Sequence, residues 1–156
     1  MPMTLWIDGD ACPGAVRDIV LKAAYRLTLA TVFVANKPLS LPQEPFITQV
    51  RVGAGADVAD DYIVTHAQPG DLVVSEDVPL AARLVDAGVV VMSPRGVLLG
   101  THNIGERLAA RDTATALRDF GLMNGGGPKP FGEKEKRQFA NTFDQQVTKL
   151  LRAAGG

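Results

Sequence analysis

The stretch MTLWIDGDACPGAVRDIVLKAAYRLTLATVFVA, residues 3–35, decides the fold of this chain. It begins with a short apolar run at residues 3–8, which predicts a strand, and it ends with a second one, ATVFVA, at residues 30–35. Between them, from Pro13 onward, apolar side chains recur at the three- and four-residue spacing of an amphipathic helix. The stretch therefore predicts a strand-helix-strand unit, in which the two strands lie parallel in one sheet.

The same alternation continues downstream of this unit. Further strands are predicted at 46–52, 71–75 and 89–92, and further helices near Asp57 to Gly70 and from Pro79 to Ala87. The connection at 36–45 is too short for a helix, so the neighbour of strand 46–52 is the least determined part of the topology. We predict an α/β fold, a three-layer α/β/α sandwich with a mostly parallel sheet, forming one domain over residues 1–156.

The last third of the chain has a different character. Residues 103–120 have the apolar spacing of a helix, and 121–132 form a Gly/Pro-rich loop that regular structure tolerates poorly. The loop is a candidate lid or a simple connector. Residues 133–153 predict a C-terminal amphipathic helix, whose apolar stripe consists of Phe139, Phe143, Val147, Leu150 and Leu151.

Composition excludes several classes of protein. No apolar run reaches the roughly 18 residues that a membrane span needs, and the N-terminus lacks the pattern of a signal peptide. Cys12 is the only cysteine, which is typical of a reducing compartment. We therefore expect a cytoplasmic protein without membrane contact.

Charge is unevenly distributed along the chain. Residues 1–94 carry 6 basic and 11 acidic side chains, whereas residues 95–156 carry 10 basic and 6 acidic ones. An acidic part beside a basic part suits a metal site next to a phosphate-binding surface. The overall net charge of −1 argues against a strongly basic, non-specific nucleic-acid binder.

Aspartates follow three of the predicted strands at their carboxyl ends, where open parallel sheets bind their ligands. Four candidate ligands lie at these exits: Asp8, Asp10, Asp57 and Asp77. Asp60 and Asp61, three and four residues after Asp57, can share a helix face with it. Asp71 precedes its strand, belongs to the opposite edge, and is excluded.

Clustered carboxylates repel one another unless a cation lies among them, and oxygen ligands suit Mg²⁺ or Mn²⁺. We therefore predict that Asp8, Asp10, Asp57, Asp60 and Asp77 are metal ligands and catalytic residues. The alternative for Asp10, Asp57 and Asp77 is that they are helix N-caps, a role for which aspartate is well suited.

Basic and polar side chains near the same edge are candidates for contacts to substrate phosphates. The predicted set is Asn36, Lys37, Ser75, Arg95, Arg107 and Arg111. For Arg107 and Arg111, four residues apart on one helix face, the alternative is a solvated face with local ion pairs.

Several blocks of the chain, taken in order, resemble one known family. The blocks are WIDGDACP, FVANK, VGAGADVADDYI, GDLVVSEDVPLA and SPRG, together with R-L-x-x-R-D at 107–112 and GGP at 126–128. They are similar to the YaiI/YqxD family of bacterial proteins. That family in turn looks like a member of the PIN-like nuclease group, which implies a PIN-like sandwich with Mg²⁺ or Mn²⁺ at one acidic sheet edge.

The resemblance carries over residue by residue to Asp8, Asp57, Asp60 and Asp77, and Ser75-Glu76-Asp77 resembles the Ser/Thr-x-Asp of the PIN-like group. One departure is that many PIN domains have a further acid after the next strand, where this chain has Ser93-Pro94-Arg95. A site with one metal ion rather than two, or with weak activity, is the expectation from this difference.

Our leading hypothesis is a metal-dependent nuclease that hydrolyses phosphodiester bonds, with RNA favoured over DNA as partner. One alternative is a non-catalytic domain whose acidic pocket binds a metal, a nucleotide or a protein. Another is a phosphotransferase with Asp8 as nucleophile, although the sequence continues as Ala11-Cys12-Pro13 rather than in the pattern of that class. Cys12 and Arg17 are one residue closer than in the Cys-x5-Arg phosphatase loop, and a packed small residue is the simpler interpretation of Cys12.

Overall fold

A computed structural model describes residues 3–55, 57–110 and 131–155 of the chain. Its centre is a six-stranded sheet in the order β3-β2-β1-β4-β5-β6. The strands are β1 (Thr4–Asp8), β2 (Ala30–Ala35), β3 (Ile47–Arg51), β4 (Leu72–Val74), β5 (Val90–Met92) and β6 (Leu98–Leu99). The first five run parallel, and β6 is antiparallel to β5. The predicted α/β fold with a mostly parallel sheet is confirmed.

Five helices flank the sheet within these ranges. They are α1 (Gly14–Leu27), α2 (Val58–His66), α3 (Val78–Asp86), α4 (104–110) and α5 (Glu133–Gly155). A single 3-10 turn, Gly9–Ala11, joins β1 to the loop before α1. Residues 111–120 of the predicted helix 103–120, and all of the predicted loop 121–132 except its last two residues, lie outside the described residues.

Alternating side chains of the strands supply the two sides of the core. Leu5 and Ile7 of β1 pack in one cluster, to which α1 and α5 contribute buried residues such as Val16 and Phe139. Trp6, between them in sequence, belongs to the cluster on the other side, beneath α2 and α3. Both faces of the sheet are thus covered, which explains why its central strands are largely apolar.

The structure settles the position of strand 46–52. It forms β3, which pairs parallel with β2, with Thr31 opposite Ile47 and Ala35 opposite Arg51. The crossover at 36–46 contains no helix and is instead anchored by Leu39, Leu41 and Phe46, which pack against the core. Apolar loop residues therefore cover part of the core here, as a crossover helix does elsewhere in the sheet.

Sequence reasoning missed β6, which is only two residues long and returns after a tight turn at Gly96. Gly96 has a φ of +85°, and a Cβ built on it would lie 2.6 Å from the carbonyl carbon and oxygen of Gln138 in α5. The Thr142 hydroxyl of α5 donates a hydrogen bond to the Gly96 carbonyl at 2.8 Å. The turn after β5 is therefore in close contact with the C-terminal helix.

Asp71 lies at the opposite edge from the predicted site, just before β4. Its buried carboxylate accepts hydrogen bonds from Thr4 N–H at 2.9 Å, from the Trp6 indole at 3.0 Å and from Gln68 N–H at 3.0 Å. These bonds join the beginnings of β1 and β4, so Asp71 has a structural role.

No helix among the described residues is both long enough and apolar enough to cross a bilayer.

The contact between Gly96 and α5 predicts the effect of adding one methyl group. Gly96→Ala combines a strained positive φ with an overlap against backbone atoms, so we expect a loss of roughly 2–4 kcal/mol in the free energy of unfolding. The control is Gly105→Ala in α4, where nothing lies within 4 Å of the added carbon and helix propensity favours alanine. Urea denaturation of both variants measures the difference, and equal stabilities would contradict this account of the turn.

Candidate acidic site at the strand ends

Parallel strands deliver aspartates to one edge of the sheet. Asp8 is the last residue of β1, Asp10 lies in the 3-10 turn after it, and Asp77 is the N-cap residue of α3 just after β4. Asp57 immediately precedes α2, and Asp60 is in its first turn. The structure therefore places Asp8, Asp57, Asp60 and Asp77 in the region between β1, β4 and the beginning of α2, and Asp10 toward the end of β2.

A buried serine links two of these acids. The Ser75 hydroxyl donates a hydrogen bond to Asp8 Oδ2 at 3.2 Å and accepts one from the backbone N–H of Asp77 at 3.0 Å. Ser75 is 1% exposed, so water does not compete for these bonds. The predicted role of Ser75 in contacting substrate stays untested, while its hydrogen bonds give it a second role, the orientation of Asp8 and Asp77.

Asp60 interacts with the other acids most strongly. Burial, followed by the charges of Asp77 and Asp8, a hydrogen bond with Asp77 and the charge of Asp57, raises the pKa of Asp60 to about 7. The pKa of Asp8 is also raised, mainly by burial and also by the charges of Asp10 and Asp77, although its bond with Ser75 opposes the shift. Asp60, Asp77 and Asp8 thus lie within electrostatic reach of one another, and the protonated form is favoured at Asp60 and Asp8.

The alternative that these aspartates are helix N-caps holds for one of them. Asp77 Oδ1 accepts a hydrogen bond from Leu80 N–H at 2.9 Å and caps α3. The side chain of Asp57 makes no capping bond to α2, and the residue that precedes α1 is Pro13 rather than Asp10. Helix capping therefore accounts for Asp77 in part and for neither Asp10 nor Asp57.

Two aspartates have partners away from Asp60. Asp10 Oδ2 accepts a hydrogen bond from the backbone N–H of Asn36 at 2.9 Å. Asp61 forms an ion pair with Arg83 of α3 at 2.8 Å. Asp61 thereby joins α2 to α3, and Asp10 joins the 3-10 turn to the end of β2.

The donor chemistry of this site suits a hard divalent cation, since its ligands are all carboxylate oxygens. Across residues 3–55, 57–110 and 131–155, however, no three His, Cys, Asp or Glu side chains converge as a preformed metal cage. The nearby charges of Asp77 and Asp8, together with burial, raise the pKa of Asp60. A cation that bound here would be held by Asp60 and Asp77, with Asp8 as the neighbouring third carboxylate.

Arg95 occupies the turn after β5, as predicted, and is largely enclosed. Its guanidinium lies 3.5 Å from Glu76 and 3.9 Å from Glu135 of α5, and its Cζ is 5.9 Å from the centroid of the Phe131 ring. Arg95 thus joins the loop after β4 to the beginning of α5. Sequence reasoning did not identify Glu76, Phe131 and Glu135 as partners of Arg95, because no local pattern connects them with it.

The other predicted phosphate contacts are dispersed. Asn36 and Lys37 are exposed just after β2, beside Asp10. Arg107 is exposed on α4, where its side chain forms neither an ion pair nor a hydrogen bond with any described residue. Arg111 lies outside the described residues. A phosphate role for these side chains stays a prediction.

Cys12 does not have the properties of a reactive thiol. Burial raises its pKa to about 12, and the nearby Arg17 lowers it only in part. Since the thiolate is the nucleophilic form, the structure favours the interpretation of Cys12 as a packed small residue.

Comparison with known proteins decides the family. The profile of a family described as uncharacterised bacterial conserved proteins, YaiI/YqxD, matches residues 6–149. This chain belongs to the YaiI/YqxD family. A relative from Myxococcus xanthus, named as a UPF0178 protein, is 49% identical over 150 residues, which cover 96% of this chain and 97% of the relative.

A second relative, also named as a UPF0178 protein, is from Geobacter sulfurreducens and is 49% identical over 96% of this chain and 99% of its own length. A third, from Psychromonas ingrahamii, is 48% identical over 94% of this chain and 97% of its own length. No solved structure matches the chain at a significant level. The YaiI/YqxD resemblance seen in the sequence is confirmed, whereas the PIN-like relationship stays a prediction.

The raised pKa values predict how the stability of this YaiI/YqxD protein depends on pH without metal. The folded state holds protons on Asp60 and Asp8 that the unfolded state releases above its ordinary value of 3.8. This contribution to stability is complete below that value and is lost as the pH rises through about 7. Asp60→Asn should therefore raise the melting temperature at pH 8 in chelator, by roughly 2–4 °C, and have a clearly smaller effect at pH 5, which lies nearer to the lower pKa.

Asp61→Asn, one residue along α2, is the matched control. It breaks an exposed ion pair with Arg83, so it should lower stability slightly at both pH values. If the melting temperatures of wild type and Asp60→Asn change with pH in the same way between pH 5 and 8, the pKa of Asp60 is not raised in the folded state.

Proposed function

We propose that this protein is a metal-dependent hydrolase of phosphodiester bonds in nucleic acid, with RNA as its substrate. The observation that carries the proposal is that Asp8, Asp60 and Asp77 lie near one another without a basic partner among the described residues. Among the described residues, no basic side chain forms an ion pair with any of the three, although burial and the charges of neighbouring acids raise the pKa of Asp60 and of Asp8.

Neighbouring acids provide the contrast. Asp61 is neutralised by Arg83, and Glu76 lies 3.5 Å from the guanidinium of Arg95. Arginine is therefore available along this edge, yet it pairs with the flanking acids rather than with the central ones. A site that concentrates negative charge in this way is stabilised by a cation, and carboxylate oxygens favour Mg²⁺ or Mn²⁺.

The residues of this chain would have separate roles in binding a cation and the substrate phosphates. Asp60, Asp77 and Asp8 would hold the cation, and Ser75 orients Asp8 through its hydroxyl. When bound, a divalent cation polarises a scissile phosphate and lowers the pKa of its bound water. Lys37 is exposed at the same edge and would neutralise charge on the substrate phosphates.

The other predicted participants have supporting roles in this proposal. Asp10 holds the backbone at Asn36, and Asp57 adds negative charge near Asp60. Arg107 and Arg111 are proposed contacts to more distant phosphates. The choice of RNA rests on the resemblance of the family to PIN-like nucleases, and DNA is therefore tested in parallel.

A second candidate, a non-catalytic domain that binds a ligand at the acidic edge, is favoured by one observation. The described residues contain no preformed cage of three metal ligands, whereas many metal enzymes fix the coordination geometry in advance. Saturable Mn²⁺ binding without turnover of RNA or DNA would support this candidate over the hydrolase.

The proposal predicts that neutralising one carboxylate at a time abolishes metal-dependent cleavage. Asp77→Asn is informative because asparagine also caps helices well, so α3 should stay intact while the charge is lost. We expect Mn²⁺ affinity to fall at least ~10-fold, about 1.4 kcal/mol, and RNA cleavage to fall roughly 100-fold or more. Asp8→Asn should behave in the same way.

Calorimetric titration with Mn²⁺ and a gel assay of labelled RNA and DNA measure the two effects. Asp61→Asn is the matched control, since this aspartate pairs with Arg83 and should leave both measurements unchanged. Cleavage that persists at the wild-type rate in Asp8→Asn and Asp77→Asn would refute the proposal.

A further inference from the structure

The side chain of Gln49 in β3 is bonded to the loop that follows β2. Its Oε1 accepts a hydrogen bond from Leu39 N–H at 2.9 Å, and its Nε2 donates one to the Lys37 carbonyl at 2.7 Å. One amide therefore binds the polar backbone groups on both sides of Pro38. Because an amide has a donor end and an acceptor end, this pairing fixes both the position and the direction of the segment.

Two more contacts hold the same segment, residues 36–39. The backbone N–H of Asn36 is bonded to Asp10, and Leu39 packs against Gly9. A Cβ built on Gly9 would lie 2.8 Å from Leu39 Cδ1, so the glycine is what permits this close approach. The segment is thus attached both to β3, through Gln49, and to the 3-10 turn after β1, through Gly9 and Asp10.

Lys37 is the residue that this attachment presents to solvent. Its side chain is exposed and forms no ion pair within the described parts of the chain, although Asp10 contacts the preceding residue. A lysine has a flexible stem, so its ammonium group is located by its backbone rather than by a rigid side chain. Holding the Lys37 carbonyl therefore limits where the ammonium can lie.

We infer that Gln49 is a positioning residue, which holds the Lys37 backbone so that the Lys37 ammonium meets a substrate phosphate beside the acidic site. This inference rests on the proposed function, since it takes the ligand to be a nucleic acid. Gln49 acts through Lys37 and does not itself touch the substrate. Its bond to Lys37 is exposed, so the loss of that bond should affect binding more than folding. Its bond to Leu39 N–H is partly buried, and removing it has a cost in stability, so the fold of each Gln49 variant is checked before affinities are compared.

The test is a double-mutant cycle on Gln49 and Lys37, read by the affinity for a fluorescent single-stranded RNA oligonucleotide. Affinity is measured by anisotropy at several salt concentrations with Ca²⁺ in place of Mg²⁺. Lys37→Ala should weaken binding and lower the salt slope by about 0.7, the value for one lost phosphate contact on a single strand. Gln49→Met keeps the length of the side chain without its polar groups. It should weaken binding about 3-fold or more, because the Lys37 ammonium is then no longer held near the phosphate.

The double variant should bind no more weakly than Lys37→Ala alone, because Gln49 then has nothing left to position. Gln43→Met is the matched control, since Gln43 is exposed in the same loop and its side chain makes no hydrogen bond with any described residue. It should bind as wild type does. If Gln49→Met fails to fold by circular dichroism, Gln49→Ala takes its place in the cycle.

Three results would overturn the inference: unchanged affinity in Gln49→Met, additive losses in the double variant, or no RNA binding by wild type. The first two refute the role of Gln49 while the proposed function survives, and the third removes RNA as the substrate as well. If the cycle behaves as expected but wild type cleaves no RNA with Mn²⁺, hydrolysis fails and the positioning role of Gln49 stands.

Discussion

The parallel pairing of β1 with both β2 and β4 is the constraint on which the site depends. The register places Ile7 opposite Val74, so the next residues along the two strands, Asp8 and Ser75, lie side by side. Their hydrogen bond joins positions that are 67 residues apart in sequence. On the other side, Asp8 lies opposite Val34, which brings the end of β2 and the segment after it next to Asp10. Asp8 and Asp10 therefore take their positions from this central strand, and Asp77 follows its neighbour β4.

Electrostatics separates the acids of this edge into two kinds. Asp61, Glu76 and Glu135 are close to arginine side chains and act as links between elements. Asp8, Asp60 and Asp77 form no ion pair with any described basic side chain, and Asp60 and Asp8 have raised pKa values. Folding places these charges together at a cost, which is the arrangement found at sites that bind a cation or a proton. The same cost raises the pKa of Asp60 to about 7.

The C-terminal helix is part of the same arrangement. Phe139, Phe143 and Val147 of α5 complete the core on the side of α1, and Thr142 holds the Gly96 turn. Arg95 then connects Glu135 with Glu76, next to Asp77. The helix therefore covers the sheet and also fixes the loop that carries one of the acids, so stability and site geometry share the same contacts.

The sequence by itself determined the order along the chain of the main strands and helices and the parallel direction of these strands. It also determined the edge of the sheet at which Asp8 and Asp77 emerge. It also separated Asp71 from them. These features follow from hydrophobic periodicity and strand direction, which are local properties of the chain. The family could be recognised for a similar reason, since its motifs are contiguous blocks.

Only the tertiary structure decided which aspartates face one another. It directs Asp10 to Asn36 and Asp61 to Arg83, and it brings Asp60 to Asp77. It also placed β3 beside β2, added β6, and introduced Glu135 and Gln49 at the edge. The physical reason is that a side chain chooses its partner by register and rotamer between distant segments, and neither is encoded in the local pattern of residues.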